Sequence, residues 1–451
     1  MPAALDQVFK AYDVRGVYPD QLDEELAERV GRAFVALTGA GTLAIGQDMR
    51  PSSKPMADAL AEGAMAQGAD VLRVGLCSTD MLYYVSGALD VAGVMLTASH
   101  NPARYNGLKL CRAGAVPVGE ESGLADIKRM IAAGEPATTA DHRGRERQAD
   151  DLLERYAAHV RSFAEPAALR PLKVVADAGN GMAGHVVPAV FAGLPFELVS
   201  MYFELDGSFP NHPADPLNPD NLRELQARVV AEGADVGLAF DGDADRVFLV
   251  DELGTPVPSS LVGALVARLL CEREPGATVL YNLICSRVVP ETIREAGGVP
   301  VRTRVGHSFI KGVMAETGAV FGCEHSGHYY FRDNYRADSG LIAALVALDA
   351  LSRAGRPLSE VLAPYRRYAA SGEINRRVDD PGKVIGAVAA RYPADASDFT
   401  DGLTVEGGDW WFNLRPSNTE PLLRLNVEAA TEAEMARVRD EVLEAVGGEP
   451  A

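Results

Sequence analysis

Val94-Met95-Leu96-Thr97-Ala98-Ser99-His100-Asn101-Pro102 is the stretch from which the fold is read. Its apolar first half has strand propensity and stops abruptly at a hydroxyl, an imidazole and an amide. Pro102 removes the next ladder donor. Ser99 is therefore expected just past a strand end, on a loop where a rigid scaffold aims a reactive group at a ligand. A solvated turn would look the same in isolation, because Ser and Asn dominate turns through local hydrogen bonds. Repetition separates the two cases, since comparable strand ends recur twice downstream with different chemistry on each.

Around this stretch, Thr42 to Asp48 reads as a strand, Pro51 to Gln67 as a helix and Asp70 to Gly75 as a second strand. A helix near Met81 to Ala88 leads to the strand that delivers Ser99, and Gly107 to Arg112 returns as a hairpin. The plan repeats with strands at Lys173 to Asp177, Phe196 to Tyr202 and Asp235 to Phe240. The last runs into Asp241-Gly242-Asp243-Ala244-Asp245-Arg246, and Val247 to Asp251 returns. A third unit has strands at Thr278 to Asn282 and Val299 to Val305, and Gly318 to Gly322 leads into Cys323-Glu324-His325-Ser326-Gly327-His328 before Tyr329 to Phe331 returns. Strands alternating with helices predict crossover units and largely parallel sheets. In such sheets ligands gather beyond the carboxyl ends of the strands. From about Ser371 the character changes to meandering strands closed by a helix at Thr431 to Ala445. The expected fold is α/β: three similar mixed-sheet α/β domains (1–150, 151–252 and 253–368) and a C-terminal α+β cap (369–451) around a central cleft.

A chain of 451 residues is too long for one core, and 47% hydrophobic with 24% charged residues is a globular composition. The net charge of -20 argues against nucleic acid or an anionic membrane as partner. Five scattered cysteines without a CxxC pair suit a reducing compartment. Met1 to Asp6 lacks the basic and apolar regions of a signal peptide, and apolar runs such as Leu261 to Leu270 are too short to span a bilayer. A cytoplasmic location is expected.

Asp241, Asp243 and Asp245 alternate, which on an extended loop brings three carboxylates around one hard cation such as Mg2+. Glu252 falls where a calcium hand loop would carry its last ligand, but Arg246 stands where that loop needs glycine, and the flanks are strand-like. Arg415-Pro416-Ser417-Asn418-Thr419-Glu420-Pro421, with Arg424 beyond, offers what a phosphate monoester needs. The loop from Cys323 to His328 can grip sugar hydroxyls, and His328 or His307 can move protons near neutral pH. Lys109 and Arg15 are further candidates to hold phosphate or hydroxyl groups. A serine beside a cation site, a phosphate cradle and a sugar loop describe phosphoryl transfer. No Walker loop is present, so nothing indicates a nucleotide donor.

Thr97-Ala98-Ser99-His100-Asn101-Pro102, Asp241-Gly242-Asp243-Ala244-Asp245-Arg246, Glu324-His325-Ser326-Gly327-His328 and Arg415-Pro416-Ser417-Asn418-Thr419 occur in the order and spacing of the α-D-phosphohexomutase family. The chain resembles its phosphomannomutase/phosphoglucomutase members along nearly its whole length. The resemblance implies a resting phosphoserine at Ser99 and a Mg2+ held by it with Asp241, Asp243 and Asp245. It also implies interconversion of hexose 6-phosphate and hexose 1-phosphate through a hexose 1,6-bisphosphate. Arg246 would steady the phosphoserine, Glu324 and Ser326 the sugar, and Arg415, Ser417, Asn418 and Thr419 the non-reacting phosphate, with Tyr12 and Arg424 as further substrate contacts. Proton-transfer candidates are Lys109, His100 and His328, supported by Arg15 and His307. Relatives of dual specificity often carry a lysine shortly after the first strand of the third domain, where Asn282 to Arg287 has none. Mannose phosphate is the expected substrate, with glucose phosphate beside it. Phosphoglucosamine mutase is the alternative within the class, a metal-dependent sugar phosphatase the alternative from another, and a non-catalytic sugar-phosphate binder a third.

Overall fold

The computed structural model describes residues 2–136, 140–417 and 422–450, without the side chains of residues 2–4 and His307. The strand that delivers Ser99, Ala92–Leu96, is buried at all five positions. Covered on both faces, it is read as an unbroken apolar run rather than an alternating one. It pairs in parallel with Thr42–Gln47, which pairs in parallel with Asp70–Leu76. Tyr105–Arg112 returns antiparallel beside it, and Val14–Val17 extends that edge.

The same order recurs. Phe196–Met201, Leu172–Asp177 and Val236–Phe240 are parallel neighbours, with Val247–Asp251 antiparallel at the side. Val299–Thr303, Thr278–Asn282 and Phe321–Cys323 repeat the arrangement, with Tyr329–Phe331 returning. These are three mixed α/β domains of one plan, and the loops carrying Ser99, the aspartates and Glu324 all follow the corresponding strand.

Two helices absent from the pattern above join the domains. Ser259–Arg273 and Gly340–Ala354 are buried around almost their whole circumference, so neither carries the polar face that marks a surface helix. Together with Leu152–Arg161 they fuse the three domains into a body with one continuous apolar core. A short helix, Pro2–Val8, precedes the first strand, and Pro256–Val257 adds an edge to the second sheet.

The cap is built differently. Its sheet places Ser397–Asp398, Leu403–Glu406, Trp410–Pro416, Leu422–Ala429, Ala369–Arg377 and Glu449–Pro450 in that order, all antiparallel. Helices Pro381–Ala389 and Glu432–Val446 cover one face and close a separate core around Phe412, Leu425 and Val438. Runs of strand and helix without crossovers make it α+β.

Candidate active site

Ser99 sits in the left-handed region at φ 50, a conformation that costs a serine energy and persists only where the surroundings impose it. Arg50 imposes it. Its buried guanidinium donates to the carbonyl oxygens of Ser99 and Asn101 (both 2.8 Å), Pro102 (2.9 Å) and Tyr105 (3.0 Å), and Asp48 holds it from behind at 3.0 Å. Five ionic or charge-assisted contacts to one side chain fix the loop as a rigid shelf. Asp48 and Arg50 follow the strand next to that of Ser99, so strand position was the available signal for residues that motif reading passed over.

The aspartate loop packs against this shelf. The Ser99 hydroxyl donates to Asp241 Oδ2 at 2.6 Å. Gly242 makes the approach possible, since a Cβ there would stand 2.4 Å from the Ser99 carbonyl oxygen. Asp243 accepts from Thr79 Oγ1 (2.5 Å) and Lys109 Nζ (2.7 Å), and Lys109 also reaches Asp245 at 2.6 Å. Arg246 donates to Asp241 (2.8 Å), to Ser99 Oγ (3.1 Å) and to His100 Nδ1 (2.6 Å). Thus buried Ser99, Arg246 and the three aspartates share one cluster with half-buried His100 and Lys109.

Burial pushes the Asp241 carboxyl up to about 7 against the pull of Arg246. Burial acts on Asp243 too, but the Lys109 ammonium and its hydrogen bond hold that carboxyl well below the usual range. Lys109 is likewise kept charged, Asp243 and Asp245 outweighing its desolvation. His100 is held neutral by burial and by the charges of Arg246 and Arg15. Burial opposes the His328 imidazolium, yet Asp245 and Asp338 raise its pKa on balance.

Ligand atoms of Asp241, Asp243 and Asp245 lie within 4.8 Å of one another. Asp243 Oδ1 and Asp245 Oδ1 are buried and accept no hydrogen bond, a state that is costly unless a cation takes them. An all-oxygen donor set of this kind fits a hard divalent ion.

Around the cluster, Arg15 donates to Asn101 Oδ1 at 2.6 Å and pairs with Asp13. His328 Nδ1 lies 2.9 Å from Asp338 Oδ2, and its backbone bridges to Arg246. Glu324 is buried and accepts from Tyr330 (2.8 Å), Asn282 (3.1 Å) and the Gly306 amide (3.1 Å), while Ser326 is half-buried beside it. Tyr12 packs edge-on against Phe309, 6.3 Å between centroids. Helix residue His307 begins Thr317's helix nearby, but its side chain lies outside the described residues. In the cap, Arg424 donates to Ser417 Oγ at 3.2 Å, and Arg415 is buried. Asn418 and Thr419 lie outside the described residues. Arg287, in the segment that lacks the lysine, turns to the cap instead, donating to the carbonyls of Gly407, Gly408 and Trp410.

Family models for phosphoglucomutase/phosphomannomutase match in four pieces: α/β/α domain I over residues 6–137, domain II over 154–254, domain III over 258–368 and the C-terminal domain over 373–445. The chain is 42% identical over 441 residues to a protein named phosphohexose mutases from Xanthomonas campestris pv. campestris, covering 96% of this chain and 97% of that one. It is 39% identical over 441 residues to a phosphomannomutase from Salmonella montevideo, with 96% of each chain covered. The crystal structure of a phosphoglucomutase/phosphomannomutase family protein from Burkholderia thailandensis superposes with a TM-score of 0.89 at 34% identity, over 98% of this chain and 99% of that one. With its serine, aspartate, glutamate and arginine loops on four domains of matching order, the chain belongs to the phosphoglucomutase/phosphomannomutase family of sugar-phosphate isomerases, which work as intramolecular phosphotransferases.

Proposed function

We propose that the chain interconverts hexose 6-phosphate and hexose 1-phosphate, with mannose phosphate as principal substrate and glucose phosphate beside it, through a phosphoserine at Ser99 and a hexose 1,6-bisphosphate. The observation that carries this reading is the 2.6 Å contact of Ser99 Oγ with Asp241, inside a cluster where Asp243 Oδ1 and Asp245 Oδ1 are buried and accept no hydrogen bond. The relatives named phosphomannomutase support the choice of mannose.

Asp241, Asp243 and Asp245, with the Ser99 phosphate, would hold Mg2+, which when bound neutralises charge on the transferring phosphoryl group. Arg246 steadies the nucleophile from the side and keeps His100 Nδ1 as an acceptor. Lys109, an ammonium bridging Asp243 and Asp245, offsets their charge and is a further candidate for proton transfer. His328, oriented by Asp338, is the proton carrier whose raised pKa suits exchange near neutral pH. Arg15 braces the Asn101 side of the loop, with Tyr12 as a substrate contact and His307 in support of proton transfer. Glu324 and Ser326 hold sugar hydroxyls. Arg415, Ser417, Asn418, Thr419 and Arg424 hold the phosphate that is not reacting, so either end of the bisphosphate reaches Ser99 after it turns over. The domains run over 1–150, 151–252, 253–368 and 369–451.

Intact-mass measurement with site mapping on freshly purified protein tests the reading. A single phosphoryl group on Ser99, lost to hexose 6-phosphate and regained from hexose 1,6-bisphosphate, is expected. A protein that never carries phosphate on Ser99 under those conditions sinks it. Stoichiometric release of free phosphate would identify a phosphatase instead.

A further inference from the structure

The carboxylate of Glu373 lies between the two cap arginines assigned above to the phosphate cradle. Its Oε2 lies 3.4 Å from Arg415 Nη2 and 3.9 Å from His325 Nε2, and its Oε1 lies 3.4 Å from Arg424 Nη1. One anionic side chain thus faces both guanidiniums and the imidazole of the sugar loop. His325 is pushed down to about 3 by burial and by the two arginines, so it adds no charge of its own at neutral pH.

The contacts are loose. Charge-assisted hydrogen bonds of the strong kind run at about 2.8 Å, so pairs at 3.4 Å are held by charge more than by locked geometry. The side chain is also 25% exposed, which leaves it a path outward. Its position is imposed by the backbone. Gly372 precedes it at φ 68, and the ladder of Ala369–Arg377 with Leu422–Ala429 is irregular between Ala370 and Glu373. Ser371 Oγ accepts from the Val427 amide at 3.0 Å and pins that irregularity. The strand by which the chain enters the cap therefore aims a carboxylate into the basic pocket.

Resting on the assignment of Arg415 and Arg424 to the phosphate cradle, we propose that Glu373 is a placeholder anion, a positioning and affinity-setting residue that spaces the two guanidiniums between ligands and is displaced by the substrate's non-reacting phosphate. Two guanidiniums facing one pocket repel each other. Glu373 adds a counter-charge to both, beside Asp401 and Glu324, which also act on Arg415, and it competes with an incoming anion. That competition suits a reaction whose intermediate must leave the cradle and rebind by its other phosphate, because a cradle that grips too tightly holds the bisphosphate in one orientation.

The test is calorimetric titration of the full chain with inorganic phosphate, together with steady-state kinetics on mannose 1-phosphate. Glu373→Gln keeps the shape and removes the charge. Phosphate binding about 5-fold tighter than wild type is expected, with KM lowered and kcat lowered in parallel as release slows. Glu373→Asp, whose shorter arm keeps the charge, is expected between the two. Arg415→Ala reads the cradle assignment separately and should weaken phosphate binding about 10-fold or more. Phosphate affinity unchanged or weaker in Glu373→Gln, while Arg415→Ala weakens it, overturns the placeholder and leaves the cradle standing. Phosphate affinity unchanged in Arg415→Ala overturns the cradle and the placeholder with it, whether or not the protein proves to be a mutase.

Discussion

The body and the cap treat charge in opposite ways. In the body, Asp241, Asp243, Asp245 and Arg246 are at most 3% exposed and sit over a core shared by three domains. Charged groups that deep are tolerated only when paired at close range, so their geometry is set before any ligand arrives. The cap has its own core and meets the body mainly through polar contacts, with Arg287 on three carbonyls, Arg302 on Glu406 at 2.9 Å and Glu428 accepting from the Arg287 amide at 2.9 Å, beside a small apolar patch of Leu283 and Ile284 against Trp411. Polar interfaces of this sort permit relative motion. Under the proposed function the difference amounts to a division of labour, in which the body prearranges the chemistry and the cap supplies binding, and movement of the cap about 368–372 is what that division predicts.

If that division holds, lesions in the body cost turnover and lesions in the cap cost affinity. The largest expected effect is Ser99→Ala, with kcat reduced about 10^4-fold or more in a coupled mutase assay and KM little changed. Near wild-type turnover would erase the contrast. Exhaustive chelation should lower kcat about 10^3-fold, with activity restored by Mg2+. Retained activity in metal-free buffer would break the assignment of the three aspartates. Arg415→Ala should act on the other side, raising KM for mannose 1-phosphate about 10- to 100-fold with a smaller effect on kcat, the scale of one lost charge-assisted contact. Arg287→Ala should leave the body's unfolding transition in place and speed proteolysis at 368–372 about 10-fold, read by gel; slower cleavage would mean that the cap is held elsewhere.

The smallest effect sharpens the body side. Asp80 Oδ2 in the first domain accepts from Tyr156 and from Ser339 of the third, both at 2.6 Å, and burial pushes its carboxyl up to about 7. The folded carboxyl keeps its proton where the unfolded one has released it. Folding therefore takes up a proton, and stability falls as pH rises from the ordinary aspartate value through about 7, by at most about 1.4 kcal/mol per pH unit. Asp80→Asn should flatten that slope in urea midpoints measured across the window. An unchanged slope would show that Asp80 is ionised in the body.

Much of this was legible because strands buried on both faces announce themselves as apolar runs, and the residues just past them carry the chemistry. Ser99, Asp241 and Glu324 were found that way. Arg50 and Thr79 were not, because their roles depend on contacts between segments: Arg50 reaches a loop 49 positions away, and Thr79 reaches Asp243 across 164. The helices Ser259–Arg273 and Gly340–Ala354 escaped for a related reason, since a helix wrapped on all sides loses the periodic polar face by which sequence reveals it. Glu373 gave no local sign at all, as only the irregular strand turns it toward arginines 42 and 51 residues away.

The separation between nucleophile and carboxylate cage is set by an atom that is not there. At Gly242 a single added methyl would collide with the carbonyl of Ser99. A library that spared every polar side chain of the centre yet randomised this position would lose function through spacing alone, and would misleadingly nominate an inert hydrogen as part of the reactive machinery.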